Sequence, residues 1–144
     1  MKKYNLVILL MFVFSSVIFS QTKEKNVFFK DCTSVEFKTQ LELSSPNYLL
    51  IDLRSLKEFK KERIKTAKSV KDDKSLLKIA AKQDKNTPIF IYCSTGDKSI
   101  SSAALLMRNG YTKIYNLQDG IDGWYGDGYK LCRDKIDSSD LVHL

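Results

Sequence analysis

The sequence predicts an α/β fold in which helices cover both faces of a five-stranded, mostly parallel sheet. Short apolar runs alternate with segments of helical pattern, which is typical of βαβ units. One run, residues 48–53, is almost continuously apolar, as expected for a strand buried on both faces. Helix-capping pairs and turn residues separate the runs, so that each predicted element has a defined start or end.

The first predicted elements are a strand over residues 26–29 and a helix that follows it. Thr33 and Glu36 have the spacing of a capping box, which indicates where this helix begins. The turn-forming residues 44–47 end it. Its apolar positions, which roughly suit one buried face, are Val35, Phe37, Leu41 and Leu43.

The next elements are the strand at residues 48–53 and a short helix. Ser55 and Glu58 form a second capping-box pattern and predict where that helix begins. Residues 67–70 make a weak third strand. A further helix is predicted over residues 73–82, with Asp73 as its cap.

The last strands are predicted at residues 89–92, introduced by Pro88, and at residues 113–117. A helix over residues 99–109 connects them, and Gly110 is well placed to stop it. A short turn or helix follows at residues 120–124. The helix before Gly110 is expected to bury Ile100, Ala103, Ala104 and Met107.

The N-terminus has the layout of a signal peptide. Lys2 and Lys3 precede an apolar stretch at residues 6–14, and small serines lead to Ser20, after which we predict cleavage. This predicts export to the periplasm or the medium, with residues 21–144 as a single mature domain and no stable membrane association. The alternative is an uncleaved anchor, although the apolar segment is shorter than the ~20 residues of a typical span.

The charge of the chain favours small-molecule substrates over nucleic acid as partners. The formal net charge is +7, and it falls to +5 when Lys2 and Lys3 leave with the predicted signal peptide. The densest basic run, residues 57–63, is interrupted by acidic residues, which is typical of a solvated helix face. A modest positive field attracts small anionic substrates.

Cys93 is the strongest candidate for a functional residue. The strand at residues 89–92 would deliver its thiol to the carboxyl edge of the sheet, where ligands bind in such folds. Amides of residues 94–99, at the start of the next helix, would converge on the sulfur and favour its thiolate form. The alternative is a buried cysteine that packs as a small hydrophobic residue.

The other candidate residues limit the chemistry further. The single histidine, His143, lies next to the C-terminus and is a poor base for a cysteine–histidine dyad. The sequence has no C-x-x-C motif, so neither a metal site nor a thioredoxin-type dithiol is predicted, and nothing indicates an organic cofactor. If Cys93 stays free, Cys32 and Cys132 are the pair left for a disulfide, which an oxidising compartment would permit.

Three segments together resemble the rhodanese-like domain family. They are residues 50–54 (Leu-Ile-Asp-Leu-Arg) with the following Glu-Phe pair, residues 91–99 (Ile-Tyr-Cys-Ser-Thr-Gly-Asp-Lys-Ser), and residues 109–117 with the Gly and Trp beyond them. The resemblance extends over residues 26–126. It implies a sulfurtransferase in which Cys93 accepts a sulfane sulfur, becomes a persulfide and passes the sulfur to a thiol or another acceptor.

The resemblance also implies roles for neighbouring residues. Asp52 and Arg54 match a pair that we interpret as structural support for the sheet edge. Lys98 stands where the family often has arginine and would pair with an anionic sulfur donor as a point charge. The residues expected to bind the thiolate and its donor are Ser94, Thr95, Gly96, Asp97, Lys98 and Ser99.

Departures from the family pattern keep other functions open. Residues 62–67 replace a common Gly-His-Ile-Pro-Gly-Ala turn, Asp119 replaces a glycine, and Asp97 adds a carboxylate near the thiol. These changes motivate a non-catalytic binding module as an alternative. A thiol redox partner that uses Cys93 in the cell envelope is a further alternative. A phosphatase of the same fold is disfavoured, because Ser99 stands where such enzymes carry arginine.

Overall fold

The computed structural model of the protein describes residues 29–142. The predicted signal peptide at residues 1–20 and His143 lie outside these described residues, and so does most of the predicted first strand. Within residues 29–142, no helix is both long enough and apolar enough to span a membrane.

A sheet of five strands, all parallel, forms the centre of the described chain, with strand order β1-β5-β4-β2-β3. The predicted α/β architecture is therefore confirmed. The strands are β1 (Phe29–Cys32), β2 (Leu49–Asp52), β3 (Lys68–Ser69), β4 (Ile89–Tyr92) and β5 (Ile114–Leu117).

Five α-helices connect and follow the strands of the described chain. Both predicted capping boxes form, at Thr33 with Glu36 and at Ser55 with Glu58. The helices are α1 (Ser34–Ser44), α2 (Leu56–Lys61), α3 (Asp73–Ala80), α4 (Asp97–Arg108) and α5 (Gly120–Gly126), and a short 3₁₀ helix spans Ser138–Asp140.

The two faces of the sheet carry separate hydrophobic cores, which confirms that helices cover both faces. On one face, α3 and α4 bury Leu76, Ala80, Ala103 and Leu106 against the strands. On the other, the helices α1, α2 and α5 contribute the buried side chains Phe37, Leu41, Phe59, Ile121 and Trp124. The central strands β2 and β4 are buried along their whole length, as their apolar sequences predict.

Several predicted core positions are wrong. Val35, Leu43 and Ile100 are 60%, 75% and 42% exposed. Helix α1 packs through a narrow stripe, Phe37 and Leu41, which are one turn apart, so the apolar residues beside that stripe face solvent. Helix α4 turns small side chains toward the sheet, and its buried residues are Ser99, Ser102, Ala103 and Leu106.

Strand β1 extends three residues beyond its predicted end. Its described part pairs in parallel with β5, and Cys32 lies opposite Leu117. The backbone N–H of Gln118 donates to the carbonyl oxygen of Cys32 at 2.9 Å, which continues the ladder past the strand. The end of β1 is thus set by its pairing with β5 and not by the end of the apolar run at residues 26–29.

The C-terminal segment, for which the sequence gives no clear pattern, lies along β3 and the turn before it. Cys132 and Arg63 exchange backbone hydrogen bonds of 2.7 and 3.0 Å. Farther along, the Asp140 carboxylate accepts a bond from Lys68 Nζ at 2.8 Å. The turn at residues 62–67, which departs from the family pattern, is therefore built against this segment.

The predicted disulfide between Cys32 and Cys132 is not formed, since both residues are free thiols. Cys32 ends β1, at one edge of the sheet, and its thiol donates to the Lys30 carbonyl oxygen at 3.6 Å. Cys132 instead pairs with Arg63, in the segment that leads to β3 at the opposite edge.

The free Cys32 thiol predicts a pH dependence of stability. Burial raises its pKa to about 11, so the folded protein keeps the thiol neutral after the unfolded chain has lost that proton. The stabilisation is complete below the pKa of an unfolded thiol and is lost as the pH rises toward about 11. Over this interval we expect Cys32 to lower the unfolding free energy by about 1.4 kcal/mol per pH unit.

Urea denaturation of the reduced wild type and of Cys32→Ala, across that pH range, measures this contribution. The variant is expected to show a shallower alkaline decline in unfolding free energy, although it is less stable overall because it leaves a cavity. Equal slopes for the two proteins would show that Cys32 does not cause the decline.

Candidate active site

Cys93 follows β4 directly and lies at the carboxyl edge of the sheet, where the sequence predicts it. The residue is 4% exposed. Its sulfur accepts a hydrogen bond from the backbone N–H of Gly96 at 3.2 Å and lies 3.5 Å from the Ser99 hydroxyl oxygen. The structure therefore places one backbone donor and one side-chain hydroxyl on the sulfur.

This arrangement differs from the expected convergence of several amides of residues 94–99. Helix α4 begins at Asp97, two residues earlier than predicted, so Ser99 lies inside its first turn. The Ser99 hydroxyl donates to the Gly96 carbonyl oxygen at 2.8 Å. Since a hydroxyl has one proton, the thiol of Cys93 is then the donor in the contact between the two side chains.

Two glycines give the loop its shape. Gly96 has φ +95° and lies so close to β5 that an added Cβ would be 1.8 Å from the Gln118 carbonyl oxygen. Gly120 has φ +59°, and a Cβ there would be 2.2 Å from the Ser94 carbonyl oxygen. Both positions therefore need glycine, for conformation and for space.

Helix α5 holds the loop from the other side, a role that the sequence analysis missed. The N–H of Ile121 donates to the Cys93 carbonyl oxygen at 2.9 Å, and that of Asp122 donates to the Ser94 carbonyl oxygen at 3.1 Å. The first amides of a helix have no partner within the helix, so these bonds satisfy α5 and the loop together. The sequence signal for this role was Gly120, which begins α5 and belongs to the third segment that resembles the family.

A cavity of about 300 Å³ opens beside Cys93. Larger clefts of about 460 and 540 Å³ lie elsewhere, but their linings contain no cysteine, so we take the smaller one as the candidate site. It is lined by Leu53, Arg54, Ser55, Glu58, Cys93, Ser94, Thr95, Asp97 and Lys98. Of the predicted donor-binding residues, Ser94, Thr95, Asp97 and Lys98 line it, whereas Gly96 and Ser99 are buried behind the sulfur.

Lys98, the lysine predicted to bind an anionic donor, makes a hydrogen bond within the protein. Lys98 Nζ donates to the Leu53 carbonyl oxygen at 3.1 Å, across the cavity from its own helix. An ammonium group has three donors, so this bond leaves it able to contact a ligand as well. The contact holds the end of β2 close to the start of α4.

Glu58 is a charged lining residue that the sequence analysis did not assign to the site. Its carboxylate accepts hydrogen bonds from the backbone N–H and hydroxyl of Ser55 and, at 3.4 Å, from the Ser94 hydroxyl. The Ser55 bonds, with the Arg54 charge, hold the pKa of Glu58 below its usual value. The capping-box pattern already explained this residue, so nothing in the sequence indicated that it also lies beside the loop that follows Cys93.

Asp52 and Arg54 form a buried ion pair that shapes one wall of the cavity. Arg54 Nη2 lies 2.7 Å from an Asp52 carboxylate oxygen and donates to the Glu62 carbonyl oxygen at the same distance. Burial alone would lower the pKa of Arg54, but the Asp52 carboxylate outweighs it and raises that pKa. The geometry agrees with a structural role, since the pair joins β2 to the turn after α2.

Comparisons with known proteins agree with this fold. The profile of the rhodanese-like domain matches residues 35–127. A sulfurtransferase from Allochromatium vinosum is 30% identical over 97 residues, which cover 67% of this chain and 89% of that protein. The thiosulfate sulfurtransferase GlpE of Pseudomonas savastanoi is 29% identical over 76 residues, 53% of this chain and 71% of the relative.

Solved structures show the same architecture. A rhodanese-related protein from Thermoplasma volcanium superimposes with a TM-score of 0.61 at 15% identity, covering 73% of this chain and 99% of that one. A rhodanese-like domain protein from Staphylococcus aureus gives a TM-score of 0.59 at 25% identity, covering 74% and 99% of the two chains. The chain belongs to the rhodanese-like domain family.

Proposed function

We propose that the protein is a sulfurtransferase that carries sulfane sulfur as a persulfide on Cys93, from a thiosulfate- or polysulfide-type donor to a thiol acceptor. The observation that carries the proposal is the Cys93 sulfur, which has a Gly96 N–H at 3.2 Å and a cavity beside it. Relatives that are named sulfurtransferases support it.

The reaction consists of two displacements at sulfur. The Cys93 thiolate attacks the sulfane sulfur of the donor, a new S–S bond forms, and the old bond breaks with its electron pair on the leaving group, which is sulfite when thiosulfate is the donor. An acceptor thiolate then attacks the outer sulfur of the persulfide. This second step releases the acceptor persulfide and restores the Cys93 thiolate, so no external oxidant or reductant is needed.

The surroundings of the sulfur fit this cycle. The Gly96 N–H donates to the Cys93 sulfur and is placed to stabilise the thiolate that the first displacement needs. The Ser99 hydroxyl can rotate from the Gly96 carbonyl oxygen to the sulfur when the thiol proton leaves, because it lies within reach of both acceptors. The positive end of α4 adds a field that favours negative charge at this place.

We also propose that the protein acts outside the cytoplasm. The proposal rests on the signal-peptide pattern of residues 1–20, which lie outside the described residues. Its test is the mass of the N-terminus of the protein recovered from cell fractions.

Intact-mass spectrometry tests the persulfide directly. Incubation of the native, reduced protein with thiosulfate or an organic persulfide should add the mass of one sulfur atom, because Cys93 is the thiol that faces the cavity. Cys93→Ser should show no gain. Cys132→Ser, which removes a half-buried thiol outside the cavity, is the matched control and should gain one sulfur.

Two other results would favour the alternatives. A protein that gains no sulfur from any donor and forms no mixed disulfides through Cys93 is a binding module and not a transferase. Mixed disulfides with partner proteins that depend on Cys93, in the absence of any persulfide, indicate a redox role.

A further inference from the structure

The charges around the cavity indicate which class of sulfur donor it accepts. Arg54 and Lys98 bring positive charge to the lining, and Glu58 and Asp97 bring negative charge. The Asp52 carboxylate neutralises the Arg54 guanidinium, from which it is 2.7 Å away. One unneutralised cation therefore stands beside two carboxylates next to the nucleophile.

The hydroxyl donors of the loop are also directed to these carboxylates. The Ser94 hydroxyl donates to Glu58 at 3.4 Å. The Thr95 hydroxyl donates to Asp97 at 3.1 Å. A hydroxyl that already serves a carboxylate is a weaker donor site for an anionic ligand, since the ligand must compete with an ionised acceptor.

The cationic side chains of the lining are engaged as well. Arg54 donates through Nε and Nη2 to Asp52, and through Nη2 to the carbonyl oxygen of Glu62. Lys98 donates to the carbonyl oxygen of Leu53. An entering dianion must therefore share each cation with a protein acceptor, whereas an arginine without such partners can bind an oxyanion with both arms of its guanidinium.

We propose, building on the proposed function, that the cavity prefers organic persulfides whose substituent is neutral or cationic over dianionic thiosulfate. Glu58 and Asp97 are the specificity-determining residues. They repel an anionic donor and attract a donor that carries an ammonium group. The net positive charge of the chain led us to expect a small anionic donor. The charges at the cavity itself favour a different class of donor, because two carboxylates stand there beside one unneutralised cation.

The transfer from such a donor balances without a further reactant. The Cys93 thiolate attacks the outer sulfur of R–S–S–H and forms the new S–S bond. The S–S bond of the donor breaks, and its electron pair leaves with R–S as a thiolate. The proton remains on the transferred sulfur, so the products are the Cys93 persulfide and one thiolate.

The experiment compares two persulfides of equal chain length, those of cysteamine and of 3-mercaptopropionate, together with thiosulfate. The second-order rate of persulfide formation on Cys93 is followed by intact mass at low salt. We expect the ammonium donor to react about tenfold faster than the carboxylate donor, and thiosulfate to react more slowly than either. The difference should shrink as ionic strength rises.

The variants Glu58→Gln and Asp97→Asn identify the residues responsible. Each should raise the rate with thiosulfate about fivefold to tenfold while lowering the preference for the ammonium donor. Glu58→Gln weakens the capping box of α2, whereas Asp97 is exposed and belongs to no capping box, so the second variant changes the charge without removing a cap. Asp84→Asn makes the same change in charge in the turn before β4. This turn lies at the amino ends of the strands, away from Cys93, so the variant should leave the preference unchanged.

The outcomes separate this inference from the proposed function. Equal rates with the two persulfides, or rates that Glu58→Gln and Asp97→Asn leave unchanged, overturn the inference while sulfur transfer stands. A protein that gains no sulfur from any of the three donors overturns both.

Discussion

Gly96→Ala is expected to destabilise the protein by more than about 3 kcal/mol and to abolish the geometry around Cys93. The new Cβ would lie 1.8 Å from the Gln118 carbonyl oxygen, so either the loop or the end of β5 must move. The φ of +95° adds strain for any residue with a side chain. Urea denaturation measures the loss of stability.

Gly110→Ala is the matched control for this prediction. Gly110 has a similar φ of +86°, but an added Cβ there would have no atom within 4 Å. We expect it to cost about 1 kcal/mol, through backbone strain alone. The rate of persulfide formation should fall in Gly96→Ala and stay near the wild-type rate in Gly110→Ala. Similar losses of stability in both variants would refute the proposed steric role of the loop glycine.

Arg54→Met is expected to lower the unfolding free energy by about 3–5 kcal/mol. The substitution keeps much of the apolar volume of the side chain but leaves the Asp52 carboxylate, which is 0% exposed, without its cationic partner. An unpaired buried charge is far more costly than a buried neutral group. Chemical denaturation of the two proteins at neutral pH measures the difference.

Two further variants make this prediction specific. Arg133→Met breaks another Arg–carboxylate pair of similar length, 2.8 Å to Glu62, but this pair is exposed and should cost less than about 1 kcal/mol. The double variant Asp52→Asn/Arg54→Met removes the orphaned charge and should be more stable than Arg54→Met. A double variant that is no more stable would show that the loss comes from packing and not from charge.

The comparison of sequence with structure shows which kinds of feature a sequence predicts well. Strands β2 and β4 were predicted because both of their faces are buried and their sequences are apolar at almost every position, Asp52 at the end of β2 being the charged exception. The starts of α1 and α2 were predicted because a capping box is a contact between residues three apart. Such local signals do not depend on what lies across the fold.

Features that depend on a distant partner were predicted less well. The end of β1 is set by its register with β5, and the exposure of Val35 and Ile100 by the helices and strands that pack nearby. The free state of Cys32 and Cys132 follows from the elements that carry them. In each case the deciding contact joins residues that are far apart along the chain.

For the candidate site, the sequence by itself determined where Cys93 lies, because a buried strand that runs into a polar loop puts this cysteine at the carboxyl edge of the sheet. The tertiary structure alone decided which donors reach the sulfur and which charges stand beside it. Glu58, which belongs to α2, contacts the loop that follows Cys93, and amides of α5 donate hydrogen bonds to the same loop. The reason is physical, since electrostatic and hydrogen-bonding contacts depend on distance in space, and folding brings these separate segments together.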